Sequence, residues 1–260
     1  GQKLICLVGG DGSTVVAFDK DTGKELWKAL SAKEPGYCPP MIFEAGGKRQ
    51  LIIWHPQSLN SLDPDTGKLY WSQPYTARSG LTVPTPRKSG DRLFITSFYN
   101  GPMMLQLDSE KPEAKVLWRG KGTGERNTDG IHSIISTPFF EGDYIYGVCS
   151  YGQLRCLKAA TGERVWETFK ATTGDKEVRW ANAFLIKNGD RFFLPNEKGD
   201  LIIAKLTPRG YDEISRTHLL DPTNRDPGRL VVWSHPAFAN RSVYARNDKE
   251  IVCASLAEKP

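Results

Sequence analysis

Short apolar runs alternate with clusters of turn-forming residues along the whole chain. Residues 15–18, 40–43 and 50–54 are rich in the β-branched and aromatic side chains that favour strands. Asp, Gly, Asn and Pro separate these runs, as expected for tight connections between short strands. Apolar residues at helical spacing are almost absent. The pattern therefore predicts an all-β fold.

One segment recurs along the chain. Residues 17–27 read Ala-Phe-Asp-Lys-Asp-Thr-Gly-Lys-Glu-Leu-Trp, and residues 61–71 and 156–166 repeat the pattern closely. Weaker copies start at residues 106, 204 and 253, so the copies are 44 to 50 residues apart. A period of this length is typical of a propeller or a solenoid.

The repeat itself indicates which of the two it is. A strand runs into an Asp-x-x-Thr-Gly turn, and a second strand ending in Trp returns from it, which predicts a β-hairpin. Two further short strands lie between successive hairpins, which makes four strands per repeat. Four-stranded antiparallel blades at this period predict a β-propeller, with about six blade repeats in one domain over residues 1–260.

The two end blades are expected to be incomplete. The first blade lacks its innermost strand and the last lacks its outer strand, so we expect an incomplete ring. Unpaired strand edges are expected near residues 3–8 or 250–255, where such edges invite pairing with another chain.

The motif Ala-x-Asp-x-x-Thr-Gly-Lys-x-x-Trp resembles the tryptophan-docking repeat of the pyrroloquinoline quinone (PQQ) dehydrogenase-like propellers. This superfamily includes the outer-membrane assembly lipoprotein B family. Residues 132–138, 179–183 and 233–237 are similar to bacterial PQQ-binding-like propeller repeats. The resemblance implies an eight-bladed ring in an exported or periplasmic bacterial protein. It also implies a structural docking role for Trp27, Trp71, Trp118 and Trp166, and for Gly23, Gly67 and Gly162.

Composition narrows the functional classes. The 260 residues have a formal net charge of +5, and the positive residues are scattered rather than placed in a stripe. Nucleic acid is therefore not an expected partner. Apolar runs are too short to span a membrane as a helix. The five cysteines contain no Cys-x-x-Cys pair and do not fix the redox compartment, and no signal segment is visible.

Candidate binding residues come from aligning the innermost strands. Residues three and one positions before Ala183 and Pro236 share a strand face and lie at the mouth of the funnel. Aromatic rings beside amide and imidazole groups suit a small polar ligand or a peptide, although packing between blades would explain them equally. The predicted funnel residues are Trp180, Asn182, Trp233 and His235, with Tyr37 and His132 near the rim.

No catalytic or metal-ligating set is predicted. The four histidines lack metal-like spacing, and the Asp-x-Asp turns lack the later ligands of a calcium loop. PQQ dehydrogenases have an adjacent Cys-Cys pair, a calcium held by Glu, Asn and Asp, and a catalytic Asp, none of which can be placed here. We therefore expect no cofactor, with PQQ and calcium unsupported by motifs. The predicted role is a non-catalytic scaffold for a protein or a small polar ligand. The alternative is a diverged quinoprotein oxidoreductase or a carbohydrate-acting enzyme domain.

Overall fold

The computed structural model describes residues 1–257, which form antiparallel sheets joined by loops. Blade 1 contains β1 (Lys3–Leu7), β2 (Val15–Asp19) and β3 (Glu25–Ala29). Blade 2 contains β4 (Met41–Ala45), β5 (Lys48–His55), β6 (Ser58–Leu62) and β7 (Leu69–Pro74). Blade 3 contains β8 (Arg87–Ser89), β9 (Arg92–Ser97), β10 (Gly101–Leu107) and β11 (Ala114–Arg119).

The remaining strands follow in the same order. Blade 4 contains β12 (Phe139–Glu141), β13 (Tyr144–Val148), β14 (Leu154–Lys158) and β15 (Arg164–Thr168). Blade 5 contains β16 (Ile186–Asn188), β17 (Arg191–Pro195), β18 (Asp200–Thr207) and β19 (Gly210–His218). A hairpin of β20 (Asn224–Asp226) and β21 (Arg229–Val231) precedes blade 6, which contains β22 (Ala237–Ala239), β23 (Ser242–Arg246) and β24 (Ile251–Ser255).

Each blade is a sheet whose strands pair in sequence order, which confirms the predicted all-β architecture of antiparallel blades. The first strands of blades 3 and 4 approach one another: just before them, Thr85 N–H donates to Thr137 Oγ1 (3.0 Å), and just after β12, Gly142 N–H donates to Ser89 Oγ (3.1 Å). These first strands are therefore the innermost ones. Within residues 1–257, β1 pairs only with β2 and β24 only with β23, so each leaves one free edge. The incomplete ring itself stays a prediction.

The apolar core lies between the sheets. One cluster joins Ile52 and Trp54 of blade 2 to Ile95 and Met103 of blade 3. Other clusters join blades 1 and 2, blades 3 and 4, and blades 4 and 5 in the same way. Because strand side chains alternate between the two faces of a sheet, each inner blade contributes one apolar face to each neighbour.

The repeated turns have the geometry that their residues favour. Asp19 Oδ1 accepts hydrogen bonds from the Asp21 and Thr22 N–H groups (3.1 and 2.8 Å), and Gly23 takes a φ of 72°. Asp63 Oδ1 accepts from the Asp65 and Thr66 N–H groups in the same way (2.8 and 3.1 Å), and Gly67 has a φ of 74°. Accepting the Thr22 hydrogen bonds lowers the pKa of Asp19.

The tryptophans that end the hairpins lie against the next blade. The Trp118 indole N–H donates to Ala159 O (2.8 Å), and the Trp166 indole donates to Thr207 O (2.8 Å). Trp27 lies so close to Gly67 that a Cβ added there would be 2.6 Å from its ring. Trp71 differs, because its indole donates to the Gln50 side chain of its own blade (2.9 Å).

The structure corrects two details of the repeat. A bulge beside Ala17 pairs it with Trp27, and the equivalent bulge in blade 3 pairs Met104 with Trp118. By this register the repeat copy in blade 3 starts at residue 104 rather than 106. The shift arises because the blade 3 hairpin extends further beyond its bulge. The segment 221–229, whose Pro, Asn and Asp residues are typical of a loop, also contains most of the β20–β21 hairpin. No helix in the described part of the chain is long and apolar enough to cross a membrane.

Candidate functional site

The two ends of the propeller differ in what they display. We call the end where each innermost strand begins the loop face. It contains the connections between second and third strands, such as residues 149–153 and 196–200, and the segments that lead into each new blade. The opposite end, which contains the Asp-Thr-Gly turns, is the turn face. The predicted funnel residues belong to the loop face.

Trp180 is half-buried on the loop face and is held in a constrained conformation. Its φ is 65°, a region that non-glycine residues rarely adopt, and its N–H donates to Ser150 O (2.9 Å). The Arg179 guanidinium lies 4.3 Å from the centre of the indole ring. The indole Nε1 is buried and has no hydrogen-bond partner among residues 1–257.

Trp233 belongs to a network of buried charges. Its indole donates to Glu197 Oε2 (3.1 Å), and Arg229 donates to both oxygens of the same carboxylate (2.9 and 3.2 Å). Arg229 also pairs with Asp226. The Glu197 and Asp226 side chains are each only 4% exposed, so Arg229 compensates two nearly buried carboxylates.

The two tryptophans are one residue out of register. Ser150 and Glu197 occupy equivalent positions in their loops, since Cys149 and Asn196 make the same loop-closing hydrogen bonds. Ser150 O accepts from Trp180 N–H, whereas Glu197 O accepts from the N–H of Val232, the residue before Trp233. The spacing to the innermost strands predicts equivalent positions for Trp180 and Trp233. In the structure these positions differ by one residue.

The polar residues predicted beside the tryptophans face different surroundings. Asn182 is buried, and its backbone carbonyl accepts from the Glu197 N–H (3.1 Å). His235 is exposed, with its Nδ1 2.7 Å from Pro236 O and its ring packed on Phe184 at 4.6 Å. The two side chains therefore differ sharply in solvent access.

The two predicted rim residues also diverge. Tyr37 is 68% exposed and lies in the segment that leads into blade 2. His132 is buried rather than at the rim, with Nδ1 3.1 Å from Phe98 O. Burial lowers the pKa of His132 to about 4, so its imidazole is neutral at pH 7. Sequence spacing placed both residues in entry segments but could not indicate which one turns inward.

A second group of loop-face residues was missed by the sequence analysis. We call it the arginine patch: Arg78, Tyr99, Glu125, Arg126, Tyr151 and Arg179. Tyr151 and Arg179 both donate to the Glu125 carboxylate (2.7 and 2.6 Å), although these residues are 26 and 54 positions from Glu125. The one sequence signal was the Arg-Trp pair at 179–180.

The buried cysteine at the same end of blade 4 has a structural environment. Cys149 Sγ lies 3.1 Å from an Arg155 guanidinium nitrogen and accepts from the His132 N–H (3.3 Å). Arg155 also donates to Thr128 and Gly130 and pairs with Glu167. These contacts fasten the 120–138 segment to the second and third strands of blade 4.

Cavities on the turn face do not involve the predicted residues. A cavity of about 590 Å³ lies between the β4–β5 and β8–β9 turns, lined by residues such as Lys48, Lys88 and Asp108. Its lining contains none of the predicted funnel residues.

Around Asn182, the residues present do not fit calcium-bound PQQ. Such a site needs free Glu, Asn and Asp oxygens, and Glu197 is the acidic residue that a backbone hydrogen bond joins to Asn182. Both Glu197 oxygens are already bound by Arg229 and Trp233. Residues 1–257 contain no group of three or more His, Cys, Asp or Glu side chains arranged to hold a metal ion.

These features define a propeller of the PQQ-like class, and the comparisons identify its family. The family model described as outer membrane protein assembly factor BamB matches residues 55–259. The chain therefore belongs to this family.

Solved structures show the same fold at low sequence identity. BamB from Moraxella catarrhalis superposes with a TM-score of 0.63 and 18% identity, over 97% of this chain and 66% of that chain. A quinohemoprotein alcohol dehydrogenase, ADHIIG from Pseudomonas putida HK5, gives a TM-score of 0.58 and 15% identity, over 94% of this chain and 49% of that chain. The chain thus spans just under two thirds of the BamB structure. No curated protein matches the sequence.

Proposed function

We propose that this propeller is a non-catalytic scaffold that binds a protein partner on its loop face. The observation that supports it is a pair of tryptophan–arginine contacts on that face. Arg179 lies 4.3 Å from the Trp180 ring, and Arg229 lies 6.0 Å from the Trp233 ring. Trp and Arg are the residues most enriched where protein interfaces gain their affinity.

The acid–base groups of the loop face favour binding over catalysis. A general base needs a free atom within hydrogen-bond reach of its substrate. His132 is buried, Glu197 is bound by Arg229, and Glu125 is bound by Arg179 and Tyr151. Two imidazoles are exposed: Nδ1 of His235 lies beside Pro236 O, and both ring nitrogens of His218 are hydrogen-bonded to Asp200 and Asp221.

Family membership agrees with this role and suggests a location. The family's description names an outer membrane protein assembly factor. An assembly factor is expected to contact other proteins. We propose that this chain acts in an exported or periplasmic setting of a bacterium. The alternative, a quinoprotein oxidoreductase, draws support from the fold of the Pseudomonas dehydrogenase, which at 15% identity concerns architecture alone.

Photo-crosslinking in cells tests the proposed surface. Benzoylphenylalanine is introduced at Tyr37 or Trp233 on the loop face, and at Leu69 beside a turn-face hairpin as the control. Tyr37 and Leu69 are both well exposed, at 68% and 46%. We expect the same discrete crosslinked protein from both loop-face positions and none from Leu69. Equal crosslinking at Leu69, or none at either loop-face position, would contradict the proposal.

A further inference from the structure

The arginine patch contains a carboxylate that is already bound. Glu125 belongs to the Gly-rich segment between blades 3 and 4 and reaches across the loop face. Arg179 donates to its Oε2 (2.6 Å), Tyr151 donates to its Oε1 (2.7 Å), and Ser150 Oγ donates to its backbone carbonyl (2.8 Å). Arg126 donates to the same Tyr151 hydroxyl (3.0 Å). The loop face therefore already recognises one acidic side chain.

Aromatic rings connect this centre to a third arginine. Arg179 lies 5.9 Å from the Phe98 ring, the Phe98 ring lies 4.8 Å from Tyr99, and Arg78 lies 4.6 Å from Tyr99. The Arg126 guanidinium lies 5.0 Å from the centre of the Tyr151 ring. A guanidinium that lies over an aromatic ring still has N–H groups at its edge. These groups can form bidentate hydrogen bonds with a carboxylate.

The patch has an excess of positive charge. It contains three exposed guanidinium groups, of Arg78, Arg126 and Arg179, against the Glu125 carboxylate and the Glu177 carboxylate, whose charge acts on Arg126 from beside the patch. Within residues 1–257, Arg179 is the one of the three that has an ion-pair partner. The charge that would complement this surface is therefore acidic.

We propose that the arginine patch is the docking site for an acidic peptide segment of the protein partner, and that Glu125 occupies part of it in the free protein. This inference rests on the proposed scaffold function and names the chemistry of its partner. An extended peptide suits the patch because its side chains alternate and repeat along the chain every two residues. Successive acidic side chains on one side of the peptide can then meet successive arginines, while its backbone lies over the partly exposed Tyr99 ring beside Arg78.

The test measures binding of a fluorescein-labelled peptide of alternating glutamate and tyrosine by fluorescence anisotropy. The matched probe has glutamine in place of glutamate. We expect the acidic peptide to bind at low salt, the glutamine peptide to bind at least about tenfold more weakly, and added salt to weaken the acidic complex.

Two charge-matched double variants separate the patch from general electrostatics. Arg78→Gln with Arg126→Gln removes two charges from the patch, and Lys24→Gln with Lys68→Gln removes two exposed charges from the turn face. We expect the first pair to weaken binding about tenfold, since an exposed ion pair contributes only a few-fold each. The second pair should leave binding nearly unchanged.

Glu125→Gln tests the internal competitor. If Glu125 occupies part of the docking site, its neutralisation should strengthen acidic-peptide binding about threefold, because Arg179 becomes available. Glu163→Gln is the control, since Glu163 is also ion-paired, with Lys158 on the turn face, although it is more exposed than Glu125. That control should have no effect.

Three results would overturn the inference. They are equal binding of the glutamine peptide, an equal loss in the turn-face double variant, and unchanged or weaker binding by Glu125→Gln. Vesicles of anionic lipid that bind with the same dependence on Arg78 and Arg126 would also overturn it, in favour of a membrane surface. Loop-face crosslinking together with failure of the acidic peptide would leave the scaffold function intact and remove this inference alone.

Discussion

Gly67 and Gly162 occupy the same turn position in two blades, and a tryptophan of the preceding blade covers each. A Cβ added at Gly67 would lie 2.6 Å from the Trp27 ring, and one added at Gly162 would lie 2.8 Å from the Trp118 ring. Gly23 occupies the same position in blade 1, with a φ of 72° against 74° for the other two, and an added Cβ there meets nothing within 4 Å. Substituting each by alanine therefore isolates the contact with the tryptophan.

The expected magnitudes follow from two separate costs. Alanine at a positive φ costs about 1 kcal/mol relative to glycine, and this cost applies to all three positions. Forcing a methyl group into a packed ring costs about 1–3 kcal/mol more, and only Gly67 and Gly162 incur it. We therefore expect a loss of about 1 kcal/mol for Gly23→Ala and about 2–4 kcal/mol for Gly67→Ala and Gly162→Ala.

Thermal melting followed by circular dichroism compares the three variants. For a chain of this size, 1 kcal/mol lowers Tm by about 2–4 °C, so the last two variants should lose at least about twice as much Tm as the first. When Trp27 is already replaced by alanine, Gly67→Ala should lower Tm by nearly as little as Gly23→Ala does in the unaltered protein. Equal losses at all three glycines would refute the idea that these tryptophans pack on the turns.

Two further expectations concern Trp71 and His218. Trp71→Ala should lower the free energy of unfolding by about 3 kcal/mol, because it deletes a large aromatic side chain. Trp71→Phe should lose chiefly the hydrogen bond to Gln50, about 1 kcal/mol. Urea unfolding that finds the two variants equally stable would contradict this. Hydrogen bonds to Asp200 and Asp221 raise the pKa of His218, so its contribution to stability is complete below pH 6.5 and is lost as pH rises through the raised pKa. An NMR titration of His218 should show a midpoint above 6.5 that falls in Asp221→Asn, and a midpoint below 6.5 would reverse the sign.

The fold could be predicted because each blade repeats the same local physics. The Asp63 and Gly67 turn and the tryptophan after it recur at a nearly fixed period, so one hairpin explains the others. The register of blade 3 could not be predicted, since its hairpin changes length while its bulge still pairs Met104 with Trp118.

The candidate site was less accessible to sequence reasoning. Trp180 and Trp233 lie in segments whose spacing to the innermost strands is visible in the sequence. The contact between Glu125 and Arg179 joins two irregular segments 54 residues apart, which no periodic pattern links. The inward position of His132 depends on packing between blades rather than on its neighbours in the chain.

Adding PQQ with calcium to the purified protein is the most direct test of whether the propeller is a non-catalytic scaffold or a quinoprotein oxidoreductase. Glu197 is held by Arg229 and Trp233, so its oxygens are not free to bind calcium. We expect no change in the quinone absorbance and no reduction of an electron-accepting dye when alcohols or sugars are supplied. A saturable absorbance change at one quinone per chain, accompanied by substrate-dependent dye reduction, would contradict the scaffold function and favour a quinoprotein oxidoreductase.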